Sequence, residues 1–380
     1  MMRPVVYVSR FVPGYRRPVL EALNTALGGC LVVCAGQPPS ASFASLSTDA
    51  PAGYRQVRLR NYWIARDRMH AQGIGRILRL EPGVVLAEES PRTLTLPLLL
   101  SRARRRNSRT LLWGHFSSNN RPFGSAHPMD RYRIALARRA DGCVCYTESI
   151  AASLAQFVPS ERLFAARNTL DIRPLLELHR RLTAEGRPAI RKRLGLKAEG
   201  PVLAYLGRLI PEKKLDTLLD IYGELRRHQP ASLVIIGDGP ERAAIEAHIS
   251  GRRGSDVILT GSLTNPRDSA PWLMAADVLV CPGYLGLAIN HAFALGLPVV
   301  TQSSPNPDIR YHSPEIAYLK PGENGMTAPF GDVPALARAV QTVLADQPRF
   351  AANALAYARE NLQLETMLEG LLNAIAFAES

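Results

Sequence analysis

The sequence predicts an α/β protein of two doubly wound domains of similar size that face a central cleft. Short apolar segments alternate with amphipathic helical segments along most of the chain, and this alternation stops once and then starts again. Segments that are apolar on both faces are typical of a parallel sheet covered by helices. The length of 380 residues suits two domains, and 46% hydrophobic with 21% charged residues excludes a disordered or collagen-like chain.

The first series of strands and helices occupies the first half of the chain. Apolar runs bounded by turn residues predict strands at 5–8, 31–35, 84–87, 111–113 and 143–146. The helical period predicts helices at 18–27, 94–106, 131–139 and 150–157. The stretch from 54 to 68 is predicted to be a loop.

The second series begins after a polar helical stretch at 175–199, which is predicted to be a linker or the helix that flanks it. Strands are predicted at 202–206, 232–236, 257–259, 278–281 and 298–301, with helices between them. The last segment, 348–378, is predicted to be helical. These patterns divide the chain into domains at 1–185 and 186–347, followed by a helical segment at 348–380.

Cysteine spacing and charge limit the classes of partner. The five cysteines lie on scattered apolar runs without zinc-ribbon spacing, which predicts buried reduced thiols and no metal. Residues 1–185 hold 27 arginines, no lysine and 13 acidic residues, a net charge of +14, whereas the rest of the chain is at −1. A basic half indicates an anionic partner: a membrane surface, a phosphate-bearing substrate or nucleic acid. The alternative is that arginine use reflects genome composition, which does not explain why the surplus ends near residue 185.

The strongest chemical signal follows the first strand of the second domain. Gly207 ends this strand, Arg208 follows it, and Lys213 precedes a predicted helix. Glycine allows a ligand to approach the backbone, and the helix start adds N–H donors. A guanidinium fork with an ammonium point charge suits a diphosphate. The alternative is a solvated basic turn.

Two further glycine-rich loops follow predicted strands. The first contains Gly237 and Gly239 but lacks the third glycine of a dinucleotide fingerprint, since Arg242 stands there. The second runs from Cys281 through Gly283 to a helix that contains Asn290 and His291. Loop amides and the start of this helix are expected to form a cradle for an anion or a hydroxyl group.

These motifs, taken in order, resemble those of a known family. Gly207-Arg208 with Lys213, the Ile-Gly-Asp-Gly-Pro turn at 236–240, the run at 282–300 and the 314–325 segment follow one another at that family's spacing. The chain resembles the retaining nucleotide-sugar glycosyltransferases of the GT-B fold, family 4. The resemblance is strong over 200–345 and weaker before it.

The resemblance implies a role for each matched residue. Arg208 and Lys213 would bind the donor diphosphate and stabilise its leaving charge without a metal or other cofactor. His115 would face the donor sugar from the first domain. The positions that would bind the donor are Gly207, Gly237, Gly283, Tyr284, Leu285, Gly286, Leu287, His291 and Glu315.

The chain departs from the family at two of these positions. Most relatives carry two glutamates eight positions apart, where this chain has Gly283 and His291. His291 can still form a hydrogen bond with a hydroxyl group, and the backbone around Gly283 can replace a sugar contact. His312 is a second-tier candidate for the missing polar contact, as is Glu315. The loss of both carboxylates leaves open a non-catalytic protein that binds a nucleotide sugar or a partner enzyme.

The first domain is expected to bind the acceptor. Arg10, Tyr15 and Arg16 replace the family's glycine-rich loop and would meet an acceptor phosphate. The acceptor would be a glycan or a polyprenyl-diphosphate-linked sugar of a bacterial surface polysaccharide or lipopolysaccharide. The last helical segment is expected to return to the first domain.

The basic residues of the first domain leave two further partners open. Arginines at 102–109 either cap a helix or rest on anionic lipid. Arginines mixed with Tyr54, Tyr62 and Trp63 suit a membrane interface and would also suit RNA, although we expect no nucleic-acid partner. With no apolar signal segment recognised at the start, a cytoplasmic location is expected, with peripheral contact to the inner membrane face left open.

Overall fold

A computed structural model describes residues 3–38, 52–197, 200–250 and 256–380. The chain forms two compact units. Unit 1 comprises 1–118, 122–171 and 364–380, and unit 2 comprises 119–121 and 172–363. No helix in the described ranges is both long enough and apolar enough to cross a membrane.

Unit 1 contains nine strands in its described residues. They are β1 Val5–Ser9, β2 Leu31–Ala35, β3 Arg55–Arg58, β4 Asn61–Ile64, β5 Met69–Gln72, β6 Val84–Glu88, β7 Arg109–Gly114, β8 Gly142–Cys145 and β9 Leu163–Ala165. The helices with α geometry are α1 Arg17–Ala26, α2 Ile74–Leu78, α3 Leu96–Arg104, α4 Pro128–Arg139, α5 Glu148–Leu154 and, at the chain end, α14 Leu364–Glu379.

Seven strands of unit 1 form one parallel sheet in the order β3-β2-β1-β6-β7-β8-β9. Side chains alternate between its two faces, as the strand period of two requires. Val6, Val8 and Val85 face one core, whereas Tyr7, Leu86 and Trp113 face the other. Helix α14 contributes Leu371 and other apolar side chains to the second core.

The stretch predicted to be a loop at 54–68 contains regular structure, so that prediction is wrong. β3 pairs with β2 at the sheet edge, and β4 pairs with β5 as an antiparallel hairpin. The pattern hid these strands because their side chains are mostly exposed or half-buried and carry several arginines. An edge strand and a hairpin need no continuous apolar run.

Unit 2 contains six strands in its described residues, namely β10 Val202–Leu206, β11 Ser232–Ile236, β12 Val257–Gly261, β13 Val278–Cys281, β14 Val299–Gln302 and β15 Gly325–Ala328. Its helices are α6 Arg173–Glu185, α7 Arg187–Arg193, α8 Leu215–Arg226, α9 Arg242–Ser250, α10 Pro266–Ala275, α11 Ala288–Ala294, α12 Val333–Ala345 and α13 Gln347–Asn361. The five predicted strands of this unit are present. The pattern missed β15, whose four residues Gly-Met-Thr-Ala form no continuous apolar run. In unit 1 it also missed the three-residue β9.

The unit 2 sheet is parallel in the order β12-β11-β10-β13-β14-β15. The strand order reverses between β10 and β13, which are neighbours paired at Leu203 with Val278. Doubly wound sheets bind ligands outside the carboxyl ends of their strands at this reversal. The loops that follow β10 and β13 therefore meet at the position where a ligand is expected.

The predicted α/β architecture of two doubly wound halves is confirmed. The unit boundaries lie at Asp171/Ile172 and Gln363/Leu364, whereas the pattern placed them at 185/186 and 347/348. The difference arises because α6 packs on α10 and α13 packs on α11, so both helices belong to unit 2. The last helix, α14, lies in unit 1.

Candidate functional site

The loop after β10 carries the two cations predicted to bind a diphosphate. The N–H of Gly207 donates to Ile236 O at 3.0 Å, which ties the end of β10 to β11. Arg208 is exposed, and Lys213 lies half-buried at the end of a single 3-10 turn. Both cations therefore follow the carboxyl end of β10, next to the strand-order reversal.

The glycine turn after β11 supports this loop from behind. A β-carbon on Gly237 would lie 1.8 Å from Gly207 O, and one on Gly239 would lie 2.4 Å from Leu209 O. The N–H of Leu209 also donates to Asp238 O at 2.9 Å. The turn thus needs glycine for close backbone packing, and a direct contact between Gly237 and the donor stays a prediction.

Lys213 is held in a confined environment. Its ammonium group donates to Tyr284 O and lies 4.7 Å from the centre of the Tyr284 ring. Burial lowers the pKa of Lys213, Cys281 and Glu315 counteract this in part, and Arg208 lowers it further. An anion at this position would restore the lost solvation of the ammonium group, which suits a phosphate-binding role.

Gly283 brings the loop after β13 against the loop after β10. A β-carbon on Gly283 would lie 2.4 Å from Glu212 O and 2.5 Å from the Cα of Lys213. The N–H of Tyr284 donates to Glu212 O at 3.0 Å. A glutamate at position 283 would therefore need a different backbone path at 212–213. The glycine allows this chain to place Lys213 directly beside Tyr284.

The backbone from Tyr284 to Leu287 offers fewer ligand contacts than the sequence predicted. The N–H of Leu285 donates to His312 Nδ1 at 3.1 Å, and its carbonyl accepts from Ser313 N, so neither group is available to a sugar. Within the described residues, the N–H groups of Gly286 and Leu287 donate to no acceptor. These two amides are the candidates for donor contact, and Leu285 is a buried structural residue.

His312 braces the loop after β13. Its Nδ1 accepts from the N–H of Leu285, so Nε2 carries the proton and donates to Gln302 O at 2.8 Å. Burial lowers its pKa to about 4, so the ring is neutral at physiological pH. Ser313, which the sequence analysis did not single out, donates its hydroxyl to the Tyr284 hydroxyl. No local pattern marks Ser313, because its partner is 29 residues away.

His291 and Glu315 lie near this loop with different roles. The His291 Nδ1 is shielded from solvent and has no partner among the described residues. Burial lowers the pKa of His291 to about 4, which makes it a neutral hydrogen-bonding group. Glu315 is 2% exposed and raises the pKa of Lys213, so it acts as a countercharge. Donor contacts by either residue stay predictions.

In unit 1, His115 follows the end of β7 at the carboxyl edge of the sheet. Its ring packs edge-on against Tyr146, with centres 4.7 Å apart. The next residue, Phe116, has a φ of 54° and donates its N–H to Glu89 at 3.1 Å. Glu89 also pairs with Arg133 at 3.1 Å, and burial raises its pKa. The sequence analysis missed Glu89, which holds the backbone next to His115.

The three predicted acceptor residues have different environments. Arg10 pairs with Glu88 at 3.2 Å, and this carboxylate raises the pKa of Arg10. Tyr15 is 42% exposed. Arg16 is 4% exposed, donates to Asn168 at 2.7 Å and lies 4.7 Å from the Trp113 ring centre. Arg16 therefore stabilises the unit 1 interior, which leaves Tyr15 as the most accessible of the three.

Among the described residues, no group of three or more His, Cys, Asp or Glu side chains is arranged to hold a metal ion. The cations at the carboxyl end of β10 are the charged groups positioned for an anionic ligand. The arrangement can bind a diphosphate and stabilise negative charge that develops on it. The expectation that no cofactor is needed stays a prediction.

Comparison with known proteins agrees with this location. The family model described as "Glycosyl transferases group 1" matches residues 200–346. The chain is 30% identical over 224 residues to the lipopolysaccharide core biosynthesis glycosyltransferase LpsE of Rhizobium meliloti, covering 56% of this chain and 57% of that protein.

A second relative is a mannosyltransferase named for phosphatidylinositol monomannoside. The chain is 32% identical over 198 residues to the GDP-mannose-dependent alpha-(1-6)-phosphatidylinositol monomannoside mannosyltransferase of Mycolicibacterium smegmatis, covering 48% of this chain and 49% of that protein. The chain thus matches about half the length of these curated relatives.

A solved structure extends the comparison to the whole chain at the level of the fold. Anabaena HepE in complex with UDP superposes with a TM-score of 0.69 at 16% identity, covering 98% of this chain and 99% of that one. The family match is therefore confined to residues 200–346, and the chain as a whole has the fold of the GT-B glycosyltransferases.

Proposed function

We propose that this protein transfers a sugar from a nucleotide-sugar donor to a glycan or lipid-linked acceptor, with retention of anomeric configuration. The reaction would take place in the cytoplasm, in the synthesis of a bacterial surface polysaccharide or lipopolysaccharide. The relatives in lipopolysaccharide core and phosphatidylinositol mannoside synthesis support this class of acceptor.

The observation that carries the proposal is the placement of Lys213. Its ammonium group lies between the loops after β10 and β13, at the strand-order reversal, with Arg208 on the same loop. When the bond between sugar and diphosphate breaks, negative charge develops on the leaving phosphate. A partly desolvated ammonium and a guanidinium stabilise that charge more strongly than they stabilise the neutral sugar end of the donor.

We expect a small number of groups in unit 2 to contact the nucleotide-sugar donor. The Gly286 and Leu287 amides and the neutral His291 ring are suited to hydroxyl or phosphate oxygens. Because Gly283 leaves no room for a carboxylate, the sugar would be held mainly by backbone groups. The leaving phosphate itself would assist the acceptor hydroxyl, so the missing glutamates would not prevent the reaction.

The test is turnover of a panel of nucleotide sugars, beginning with UDP-glucose because HepE was solved with UDP-glucose. Lys213→Ala and Arg208→Ala are each expected to lower kcat/KM roughly 100- to 1000-fold, as loss of one charge-stabilising donor does. Lys192→Ala is the matched control, because Lys192 is exposed on α7 of the same unit. Unchanged turnover in both site variants would refute the proposed role of these cations.

A non-catalytic role in nucleotide-sugar binding is the second candidate, and the absence of both glutamates at positions 283 and 291 favours it. Isothermal calorimetry separates the two candidates. Tight donor binding that requires Lys213, with neither hydrolysis nor transfer across donors and acceptors, would identify a binding protein. Release of free nucleotide in proportion to glycosylated product would identify the enzyme.

A further inference from the structure

A groove in unit 1 is lined by ten described residues, four of which are arginines. It lies beside the ends of β3 and α2, has a volume of about 660 Å³ and is open to solvent. Among the described residues, the lining includes four arginines and no carboxylate, and its members are Gln37, Arg58, Leu59, Arg60, Asn61, Tyr62, Gly73, Gly75, Arg76 and Arg79. We refer to it as the arginine groove.

The floor of the arginine groove is rigidly held. Asn61 Nδ2 donates to Arg10 O at 2.7 Å and to Gln37 O at 2.8 Å, and Asn61 Oδ1 accepts from Gln72 at 2.9 Å. Leu59 is 3% exposed and donates its N–H to Ala35 O at 2.7 Å. The arginines therefore project from an ordered backbone.

Two of the arginines are also oriented. Arg76 Nη1 donates to Arg58 O at 3.0 Å. Arg60 lies with its guanidinium 5.0 Å from the centre of the Tyr62 ring. Positions 73 and 75 are glycines with no atom within 4 Å of a placed β-carbon. A ligand thus has room to reach the backbone between the arginine side chains.

Three of the four arginines carry positive charge that no described acidic side chain pairs with. Within the described part of the chain, Arg60, Arg76 and Arg79 form no ion pair. Elsewhere in unit 1, arginines such as Arg10 and Arg133 are paired with carboxylates. Neighbouring guanidinium groups repel one another, and an anion that bridges them removes this repulsion. Guanidinium groups bind phosphate oxygens in a bidentate manner, which adds geometric specificity.

We propose that the arginine groove binds a phosphoryl group carried by the acceptor. The identification of the ligand as acceptor rests on the proposed function, whereas anion binding does not. The groove volume exceeds that of one phosphate group. Such a phosphoryl group occurs on a soluble phosphorylated saccharide and at the head of a lipid-linked one.

The test measures two probes on the full chain, tripolyphosphate and vesicles of phosphatidylglycerol in phosphatidylcholine. All measurements use the Arg208→Ala/Lys213→Ala background, which removes the diphosphate site of unit 2. Adding Arg76→Gln and Arg79→Gln is expected to weaken binding roughly tenfold for each arginine removed. The matched control is Arg138→Gln/Arg139→Gln, which removes the same charge from exposed positions in the last turn of α4.

The two probes distinguish the source of the phosphoryl group. If the groove variant loses binding of tripolyphosphate only, the acceptor is a soluble phosphorylated saccharide. If it loses binding of the vesicles only, the acceptor is lipid-linked. Loss of binding to both probes supports recognition of the phosphoryl group that the two sources share. Equal weakening by the groove and control variants would show a general charge effect and overturn the proposal. Unchanged binding of both probes in the groove variant would also overturn it.

Two additional measurements keep these outcomes interpretable. Arg76→Lys/Arg79→Lys retains the charge but not the bidentate fork and is expected to bind with intermediate affinity. Unfolding by urea checks that the groove variants remain folded. Failure of the proposed function appears as absent turnover in the wild type, whereas failure of the groove proposal appears in probe binding alone.

Discussion

At the scale of single residues, Gly283 decides how closely the loop after β13 packs against the loop after β10. The backbone of Glu212 and Lys213 occupies the space where a side chain at 283 would stand. The departure from the family's glutamate therefore accompanies a close contact between loops. A carboxylate cannot be restored at this position without moving the backbone of Lys213.

Gly283→Ala is predicted to lower the free energy of unfolding by about 1–3 kcal/mol, the usual cost of overpacking. It is also predicted to weaken donor binding, because the β-carbon would displace Lys213. Urea unfolding and calorimetry measure the two effects. Gly124→Ala is the control, because no atom lies within 4 Å of its placed β-carbon. Equal stability of the two variants would contradict the packing described here.

His312 predicts a dependence of stability on pH. Its pKa is about 4 in the folded chain against an ordinary value of 6.5. As the pH falls below 6.5, the unfolded chain takes up a proton here and the folded chain does not. The stabilising contribution of the neutral ring is therefore complete above about pH 6.5 and is lost as the pH falls toward 4.

For His312 alone, the free energy of unfolding is expected to drop by about 2 kcal/mol between neutral pH and about pH 5. Urea unfolding across this range measures the drop. His312→Ala is expected to remove this share of the pH dependence, and His291, whose pKa is also about 4, keeps the rest. His228→Ala, at an exposed position, should leave the dependence as in the wild type. An unchanged slope in His312→Ala would contradict the assigned tautomer and burial.

At the scale of elements, α14 shows how tertiary packing reverses a local preference. Alanine normally stabilises a helix relative to glycine by roughly 1 kcal/mol. Gly370 in α14, however, faces the backbone of β9, where a β-carbon would lie 2.0 Å from Ala165 O. The helix thus needs a glycine to approach this strand.

Gly370→Ala is predicted to lower the free energy of unfolding by about 1–3 kcal/mol despite the gain in helix propensity. Gly75→Ala in α2 is the matched control, because its β-carbon would meet no atom within 4 Å. The control is expected to be neutral or slightly stabilising. Urea midpoints of the two variants that shift in the same direction would contradict the close packing of α14.

At the scale of the whole molecule, the last segment of the chain, residues 364–380, belongs to unit 1. Helix α14 adds six side chains to the unit 1 core beside strands from the start of the chain, namely Leu364, Met367, Leu371, Ala374, Ile375 and Ala378. Burying one large apolar side chain contributes roughly 1.5–3 kcal/mol. Together these side chains contribute as much as the roughly 5–15 kcal/mol net stability of a typical domain.

Deletion of residues 364–380 is therefore predicted to prevent cooperative folding of unit 1. Limited proteolysis is expected to degrade the first 118 residues while a fragment from unit 2 survives. Adding a peptide of residues 364–380 is expected to restore protection. A truncated chain that resists proteolysis in both units would contradict the structural role of α14.

The sequence by itself determined the α/β class, the two series of strands and the position of the cationic loop. These features depend on local periods and on turn residues that directly follow strands, and both are readable within a few positions. The sequence also placed Arg208, Lys213 and the glycine loop after β13 in one motif series. The sequence pattern did not predict β3 or the β4–β5 hairpin, because an edge strand and an exposed hairpin lack a continuous apolar run.

Only the tertiary structure decided which of the predicted site groups can reach a ligand. Leu285 and Arg16 looked like ligand contacts along the chain, yet their partners His312 and Asn168 come from distant segments and occupy them. The arginine groove likewise gathers residues from separate loops. Hydrogen bonds and burial depend on which segments meet in space, and a local pattern carries no information about that meeting.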